Sequence, residues 1–278
     1  MIEAVTVLGQ PAMRLVAPDG AQAIVLLHGA HIVSWIPAGD DERLYLSPSA
    51  LAGPGQAVRG GIPVCFPQFA GRGPLPKHGF ARTLAWEWVE GAERGGAAIG
   101  VLNLVSNETT RAIWPHDFEA ELTLVVSGRQ LDVELAVTNT GHAPFEFTAA
   151  LHSYLRIDDL LKARLHGVYG LTYEDTLNDG ERCHQEFDPI GFVGEIDRIY
   201  CDVKHPLELA SALGRLHIDH EGLPEAVVWN PGPDKAAALP DLPDEDWRHF
   251  LCVEAGVIDT PVILAPGAEW AGRQGFAA

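Results

Sequence analysis

Two neighbouring segments with strict two-residue alternation constrain the fold of this chain most. They are FEAELTLVV (Phe118 to Val126) and LDVELAVTN (Leu131 to Asn139), and in both every second residue is apolar. A β-strand points successive side chains to opposite faces, so each segment predicts a strand with one buried and one solvated face. The short polar link from Ser127 to Gln130 between them predicts a hairpin.

Strand signals dominate the remainder of the chain as well. Further strand-like runs are AQAIVLLHG, AAIGVLNLVS, FEFTAALHSYLRI, LGRLHIDH, AVVWN, HFLCVEAG and TPVILAPG, with clusters of Gly and Pro between them. A long 3.6-residue apolar period with helix caps is absent; SPSALAGPG could form at most a short helical turn, and Pro231 to Trp247 is predicted to be a long surface loop. Many short strands with regular turn signals indicate an all-β protein, either an antiparallel sandwich or a barrel.

Length and composition favour one large domain. The chain has 278 residues, of which 47% are hydrophobic and 21% charged, which is enough apolar surface for a core. All-β domains often reach 200 to 250 residues as one unit. Since the sequence contains no repeat or change of composition, we expect residues 1–278 to form a single domain. The sequence shows no apolar stripe typical of a subunit interface; this leaves the oligomeric state open and favours a monomer.

Charge and cysteine usage exclude several classes of function. Nineteen Lys and Arg against 38 Asp and Glu give a net charge of −19, which argues against nucleic-acid or anionic-membrane partners. The N-terminus has no basic segment, and no run of about 18 apolar residues occurs. The four cysteines (Cys65, Cys183, Cys201, Cys252) are dispersed, which predicts free thiols in a reducing compartment and hence a cytoplasmic protein.

One cationic stretch stands out in this acidic chain. RGGIPVCFPQFAGRGPLPKHGFAR begins at Arg59, ends at Arg82, and contains Arg72, Lys77 and His78. Guanidinium groups suit bidentate contact with phosphate or carboxylate, and the Gly60-Gly61 pair lets the backbone approach a ligand. The stretch is therefore a candidate anion clamp, although basic residues in Gly- and Pro-rich loops are more often simply solvated.

Two titratable residues are candidates for acid–base chemistry. In FEFTAALHSYLRI, regular alternation separates His152 from the most apolar positions and groups it with Tyr154 and Arg156. Glu254 follows the apolar run of HFLCVEAG at an expected strand end, where burial would raise its pKa and cations would lower it. A satisfied surface histidine and a structural ion pair are the alternatives for the two positions.

Other catalytic signatures are weak or missing. His28 and His31 in LLHGAHIVSW would point to opposite faces of one strand, so we expect no metal site there. The sequence also lacks a G-x-S-x-G elbow, a P-loop and a G-x-G-x-x-G motif, which weighs against hydrolase, kinase and dehydrogenase functions.

The ordered motifs resemble those of a known family. VRGGIPVCFPQF, KHGFAR, WPHDF, NTGHAPFEFTAALHSYLRIDD, GEIDRIY, VVWNP, CVEAG and LAPG occur in the order found in the glucose-6-phosphate 1-epimerase branch of the aldose 1-epimerase family. The resemblance runs from about residue 20 to residue 272 and implies a large antiparallel β-sandwich of the galactose-mutarotase type. It implies His152 as general acid and Glu254 as general base. The expected substrate-binding residues are Arg59, Lys77, His78, Arg82 and Asp197, with Lys77 where relatives often have a neutral glutamine.

The resemblance also implies a function. It indicates interconversion of the α and β anomers of hexose 6-phosphates by ring opening and reclosure, with a sugar phosphate as the only partner and no cofactor or metal. The alternatives are a mutarotase of unphosphorylated aldoses, a non-catalytic carbohydrate-binding sandwich, and a cupin-like metal enzyme that uses some of the twelve histidines.

Overall fold

The structure is a computed structural model that describes residues 1–278 and consists mainly of β-strands. In chain order the strands are β1 (Ile2–Val7), β2 (Gln10–Val16), β3 (Gln22–Leu26), β4 (His31–Ile36), β5 (Val64–Cys65), β6 (Glu87–Arg94), β7 (Ala97–Val105), β8 (Phe118–Ser127), β9 (Gln130–Asn139), β10 (Phe145–Leu151), β11 (Tyr154–Arg156), β12 (Arg164–His166), β13 (Thr172–Asp175), β14 (Glu181–His184), β15 (Ile196–Tyr200), β16 (Leu207–Ser211), β17 (Gly214–Glu221), β18 (Glu225–Asn230), β19 (Phe250–Leu264) and β20 (Glu269–Ala277). The two α-helices are α1 (Glu108–Ile113) and α2 (Gly232–Ala237), and 3-10 turns cover Ala81–Thr83 and Asp246–His249.

The alternating segments form the predicted hairpin. Strands β8 and β9 pair antiparallel, and the last pair, Ser127 with Gln130, leaves a two-residue turn. Gly128 in that turn has φ 54°, a conformation that glycine adopts without steric cost. The alternate residues of both strands are buried as predicted, because this face packs into the core.

The strands form three antiparallel sheets. The first contains β1 to β4 in sequence order. The second has the order β14-β13-β15-β18-β19-β10-β5, with β11 also paired to β19, and the third has the order β12-β16-β17-β20-β9-β8-β7-β6. The second and third sheets supply most of a core of 63 buried apolar residues. The all-β sandwich predicted from the sequence is confirmed.

Aromatic and polar contacts hold the two large sheets together. Phe147 of the second sheet packs edge-on against Trp270 of the third, with ring centroids 5.4 Å apart. Between the sheets, the buried Ser153 hydroxyl donates to Gln274 at 2.7 Å, and the Gln274 amide donates to the Val253 carbonyl at 2.9 Å. These bonds satisfy polar groups that would otherwise destabilise a dry interior.

The predicted surface loop from Pro231 to Trp247 is only partly a loop. It contains α2, and Ala236, Leu242 and Trp247 are buried against the core. Its prolines and aspartates are typical of turns, but its spaced apolar residues anchor it to the body of the protein. Neither α1 nor α2 has the length and apolar character needed to cross a membrane.

Candidate active site

Four strands of the second sheet carry one row of paired residues beside a pocket, which Tyr154, Asp197 and Trp229 of this row line. In this row Asp197 of β15 is paired with Trp229 of β18, Trp229 with Cys252 of β19, and Cys252 with Tyr154 of β11. Beside this row, Val227 of β18 is paired with Glu254 of β19. Because strand side chains alternate, Cys252 and Glu254 lie on the same face of β19.

His152 lies at a break in the strand that the sequence predicted to be continuous. The segment forms β10 and β11 with His152 and Ser153 between them, and the His152 N–H donates to the Pro63 carbonyl at 3.0 Å. The imidazole stacks on Tyr154, with ring centroids 4.9 Å apart and planes 10° apart. His152 is therefore neither solvent-facing nor satisfied, since it is 8% exposed and its Nδ1 has no hydrogen-bond partner.

Glu254 faces His152 from the middle of a long strand. The expected strand end is wrong, because β19 continues through Ala255 and Gly256 to Leu264 and pairs with β10 on both sides of a register shift. Glu254 is 2% exposed, and its Oε2 has no hydrogen-bond partner. Its Oε1 lies 3.3 Å from Nδ1 of His152. The structure thus brings the two residues of the sequence hypothesis into direct contact.

Burial favours the uncharged forms of both residues. It lowers the pKa of His152 well below its ordinary value, and His78 and Arg82 act in the same direction. It raises the pKa of Glu254 well above its ordinary value, and Asp197 adds to this effect while Arg82 and Lys77 oppose it. Both shifts act in one direction, since each favours the form of the residue that carries no charge.

Cationic side chains surround the pair, in contrast with the acidic surface of the molecule. The pocket has a volume of about 350 Å³. The five cations that line it are Arg59, Arg72, Lys77, Arg82 and Lys235, and the two carboxylates are Asp197 and Glu254. This concentration of positive charge suits an anionic ligand that must approach a negative protein.

The cations are held by contacts of different strength. Arg59 donates through Nη1 to the Tyr154 hydroxyl at 3.1 Å and through Nε to Asp241 at 3.3 Å. Arg82 donates to the Lys77 carbonyl at 3.1 Å. Lys77 itself is exposed. The loop from Arg59 to Arg82 therefore lies at the rim of the pocket, and both arginines are held in place by the protein.

His78 and Asp197 also line the pocket. The Nδ1 atom of His78 lies 3.2 Å from Sγ of Cys65 and accepts from the Ala70 N–H at 3.3 Å. Burial lowers the pKa of His78 to about 3, so this ring is neutral and packs 5.6 Å from the ring of His152. Burial raises the pKa of Asp197 above its ordinary value.

His28 and His31 lie outside this pocket. The sequence pattern predicted that both lie on one strand. This is wrong, because β3 ends at Leu26 and β4 begins at His31. The His28 ring hydrogen-bonds to the Gln56 carbonyl at 2.6 Å and the His31 ring to the Gly60 carbonyl at 2.7 Å. Both rings therefore hold backbone segments in place.

Another groove, of about 600 Å³, lies beside the first sheet. Its carboxylates are already engaged: Glu42 accepts from the Trp35 and Leu44 N–H groups, and Asp246 accepts from the Tyr45 hydroxyl at 2.7 Å. The groove has no histidine in contact with a carboxylate, unlike His152 with Glu254, so we place the candidate active site in the smaller pocket.

The sequence patterns did not indicate several residues at or near the pocket. Lys235, which lines the pocket, and Asp241, which contacts Arg59, belong to the segment that was predicted to be a surface loop, and Trp229 was seen only as part of a strand. Asp241 is 182 residues from Arg59 in the chain, a separation at which no local pattern signals contact. The alternation of AVVWN was the one available signal, since it places Val227 and Trp229 on the same face.

Comparison with known structures places the fold among the galactose mutarotases. A galactose mutarotase related enzyme from Lactobacillus acidophilus superposes with a TM-score of 0.75 at 18% identity, covering 95% of this chain and 96% of its own. A structure from Salmonella typhimurium described as that of a candidate mutarotase superposes with a TM-score of 0.91 at 30% identity, covering 99% and 92% of the two chains.

Sequence comparison identifies the family. The aldose 1-epimerase profile matches residues 11–277, and the chain belongs to this family. A protein from Cenchrus ciliaris named as a candidate glucose-6-phosphate 1-epimerase is 35% identical over 96% of this chain and 88% of its own. An Escherichia coli protein with the same name is 35% identical over 87% and 82% of the two chains.

Proposed function

We propose that this protein interconverts the α and β anomers of hexose 6-phosphates, with glucose 6-phosphate as the preferred substrate. The observation that carries this proposal is the contact of His152 with Glu254, 3.3 Å apart and buried, in a pocket lined by five cations. The names of the relatives support the phosphorylated substrate. Family membership favours catalysis over a non-catalytic sugar-binding role.

Anomer exchange needs two coordinated proton transfers. One group removes a proton from the C1 hydroxyl while another delivers a proton to the ring oxygen, which opens the ring to the free aldehyde. In this proposal Glu254 is the base and His152 the acid. Rotation about the C1–C2 bond then presents the other face of the carbonyl. As the ring closes, His152 takes back the proton from the O5 hydroxyl and Glu254 returns its proton to the carbonyl oxygen.

The charge state of the pair fits the two halves of this cycle. After ring opening, Glu254 holds the proton and His152 is neutral, which is the arrangement that burial favours. Ring opening starts from the carboxylate and the imidazolium. Proton transfer within the pair produces the charged state, and the attraction of opposite charges at 3.3 Å in a buried site stabilises it.

The phosphate takes no part in bond making. In the proposal, Arg59, Lys77 and Arg82 hold it, so that C1 and the ring oxygen lie between acid and base. Lys235 and Arg72 add positive charge to the same pocket, and Lys235 is paired with Glu195 at 2.8 Å. Asp197, with His78 beside the pair, completes the proposed substrate-binding set.

Exchange spectroscopy on free and phosphorylated sugars tests the acid–base roles. We expect His152→Ala and Glu254→Gln each to lower the catalysed exchange rate by about 10²- to 10⁴-fold, the usual contribution of a general acid or base. Circular dichroism checks that both variants remain folded. A near-wild-type rate in either folded variant would refute its assignment.

The same assay separates the two substrate classes. Losing a charge-assisted hydrogen bond costs about 1.5 to 3 kcal/mol, so Arg59→Ala and Arg82→Ala should raise KM for glucose 6-phosphate roughly 10- to 100-fold. Exchange of free glucose should change much less. Arg94→Ala is the matched control, because Arg94 is exposed and pairs only with Glu90 of the same strand. Equal wild-type rates on both sugars would instead favour a mutarotase of unphosphorylated aldoses.

A further inference from the structure

Cys252 is a third ligand-type side chain beside the acid–base pair. A nitrogen of His152, the sulfur of Cys252 and an oxygen of Glu254 all lie within 4.8 Å of one another, and all three residues are buried. Cys252 takes no part in the proposed proton transfers. The alternation of β19 places it two residues before Glu254 on the same face, opposite Tyr154 of β11.

These atoms form an unusual group for a site that is otherwise well packed. His152 Nδ1 and Glu254 Oε2 are both buried without a hydrogen-bond partner, and their residues are 8% and 2% exposed. Buried polar atoms are generally paired, whereas here the Oε2 atom has no partner and the Nδ1 atom contacts only Oε1 of Glu254, so both atoms and the thiol can serve a ligand that accepts electron pairs. Nitrogen, thiolate sulfur and carboxylate oxygen are the donors that Zn²⁺ prefers.

The distances suit a tetrahedral cation. Bonds of about 2.0 Å to nitrogen and oxygen and about 2.3 Å to sulfur separate the ligand atoms by roughly 3.3 to 3.6 Å. Nδ1 of His152 and Oε1 of Glu254 already lie 3.3 Å apart. The sulfur, within 4.8 Å of both, needs to move by roughly 1 Å.

We propose that His152, Cys252 and Glu254 form a binding site for a thiophilic divalent cation of the Zn²⁺ type, and that the bound cation stops anomer exchange. The thiol and the carboxyl group release their protons to solvent when the cation binds, since the ligands must be deprotonated. Three protein ligands leave one of the four tetrahedral positions free. Inhibition follows because the cation occupies the lone pairs that the reaction needs, and this second part depends on the proposed function.

A binding measurement tests the site without reference to activity. In a Cys183→Ser/Cys201→Ser background, which removes the half-buried thiols, Cd²⁺ is titrated and near-ultraviolet absorption by cadmium thiolate is recorded. We expect saturation at one Cd²⁺ per chain. The signal should be lost in Cys252→Ala and in Cys252→Ser, which keeps a side chain of nearly the same size but has no thiol. It should persist in Cys65→Ala, where the other fully buried thiol is removed. Absence of the signal in the background protein, or its loss only in Cys65→Ala, would overturn the proposal.

Inhibition is measured in the same variants by exchange spectroscopy with added ZnCl₂ and reversal by a chelator. Loss of even an outer-shell partner lowers metal affinity about 10- to 100-fold, so the half-inhibiting Zn²⁺ concentration should rise at least about tenfold in Cys252→Ala. Cys65→Ala should remain as sensitive as the wild type. Cadmium binding without any exchange activity would retain the site and reject the proposed function, and equal Zn²⁺ sensitivity of Cys252→Ala and wild type would reject the inhibitory site.

Discussion

The pair of His152 and Glu254 can work only with one proton between its two members. A second proton would leave no base, and complete deprotonation would leave no acid. Burial moves the pH values of these two protonation changes apart, because it lowers the pKa of His152 and raises the pKa of Glu254. The same burial that makes the charged pair costly therefore widens the pH range over which the singly protonated pair persists.

The pH dependence of exchange should show this widening. As pH falls, activity is lost when His152 gains the second proton, well below its ordinary pKa of about 6.5. As pH rises, activity is lost when Glu254 gives up the last proton, well above its ordinary pKa of about 4.3. We expect a flat kcat/KM profile through pH 6.5, measured with free glucose so that substrate phosphate does not titrate. An acid limb centred near pH 6.5 would contradict a buried, neutral His152.

At the scale of elements, the loop between β5 and the Ala81–Thr83 turn depends on backbone that only glycine allows. Gly79 has φ 67°, and a Cβ there would lie 2.1 Å from the Phe66 carbonyl oxygen. This close approach fixes the backbone between Lys77 and His78, which precede the glycine, and Arg82, which follows it. Gly71, in the same loop, has open space around its missing side chain.

Alanine substitutions at these two glycines should therefore differ. We expect Gly79→Ala to lower the free energy of unfolding by about 2 kcal/mol or more, through the clash and the backbone strain, and to raise KM for glucose 6-phosphate. Gly71→Ala should change the free energy of unfolding by less than about 0.5 kcal/mol. Denaturant unfolding followed by exchange kinetics measures both effects. Similar behaviour of the two variants would show that the close approach at Gly79 does not position the cations.

How well the sequence predicts the structure also varies from one strand to another. The hairpin of β8 and β9 was predicted with its correct faces, because one side is buried and the other solvated, which leaves a clear alternation. The boundaries of β10, β11 and β19 were not predicted correctly. These strands are buried on both faces, so their apolar runs show no two-residue period. Strand patterns indicated His152 and Glu254 as candidates and the motif resemblance gave their roles. Lys235 reaches the pocket, and Asp241 reaches Arg59, only through tertiary contacts.

The whole molecule sets a long-range field against the local charge of the pocket. The chain carries a net charge of −19, yet five cations surround the acid–base pair. Distant charges repel a sugar phosphate as it approaches, whereas the pocket cations act at short range. Salt screens the distant charges first, because the screening length falls from about 30 Å at 0.01 M to about 10 Å at 0.1 M.

Ionic strength should thus affect the two sugars differently. We expect KM for glucose 6-phosphate to fall when salt is raised from about 0.01 M to about 0.1 M, because screening removes the repulsion before it weakens the pocket contacts. KM for free glucose should stay constant. Steady-state exchange rates at a series of salt concentrations provide the measurement. A rise in KM for the phosphosugar across this range would mean that attraction by the pocket already dominates at long distance.

The contact of Arg59 with Asp241 gives the pocket an internal competitor for its own ligand. The Asp241 carboxylate occupies part of the guanidinium that, in the proposed function, binds phosphate. An incoming phosphate replaces the Asp241 carboxylate at the guanidinium. Its binding therefore releases less free energy than binding at an unpaired arginine would. On departure the carboxylate returns, and the guanidinium is not left without a partner. Such an exchange favours rapid turnover over tight retention, which suits an enzyme whose substrate and product differ only at C1.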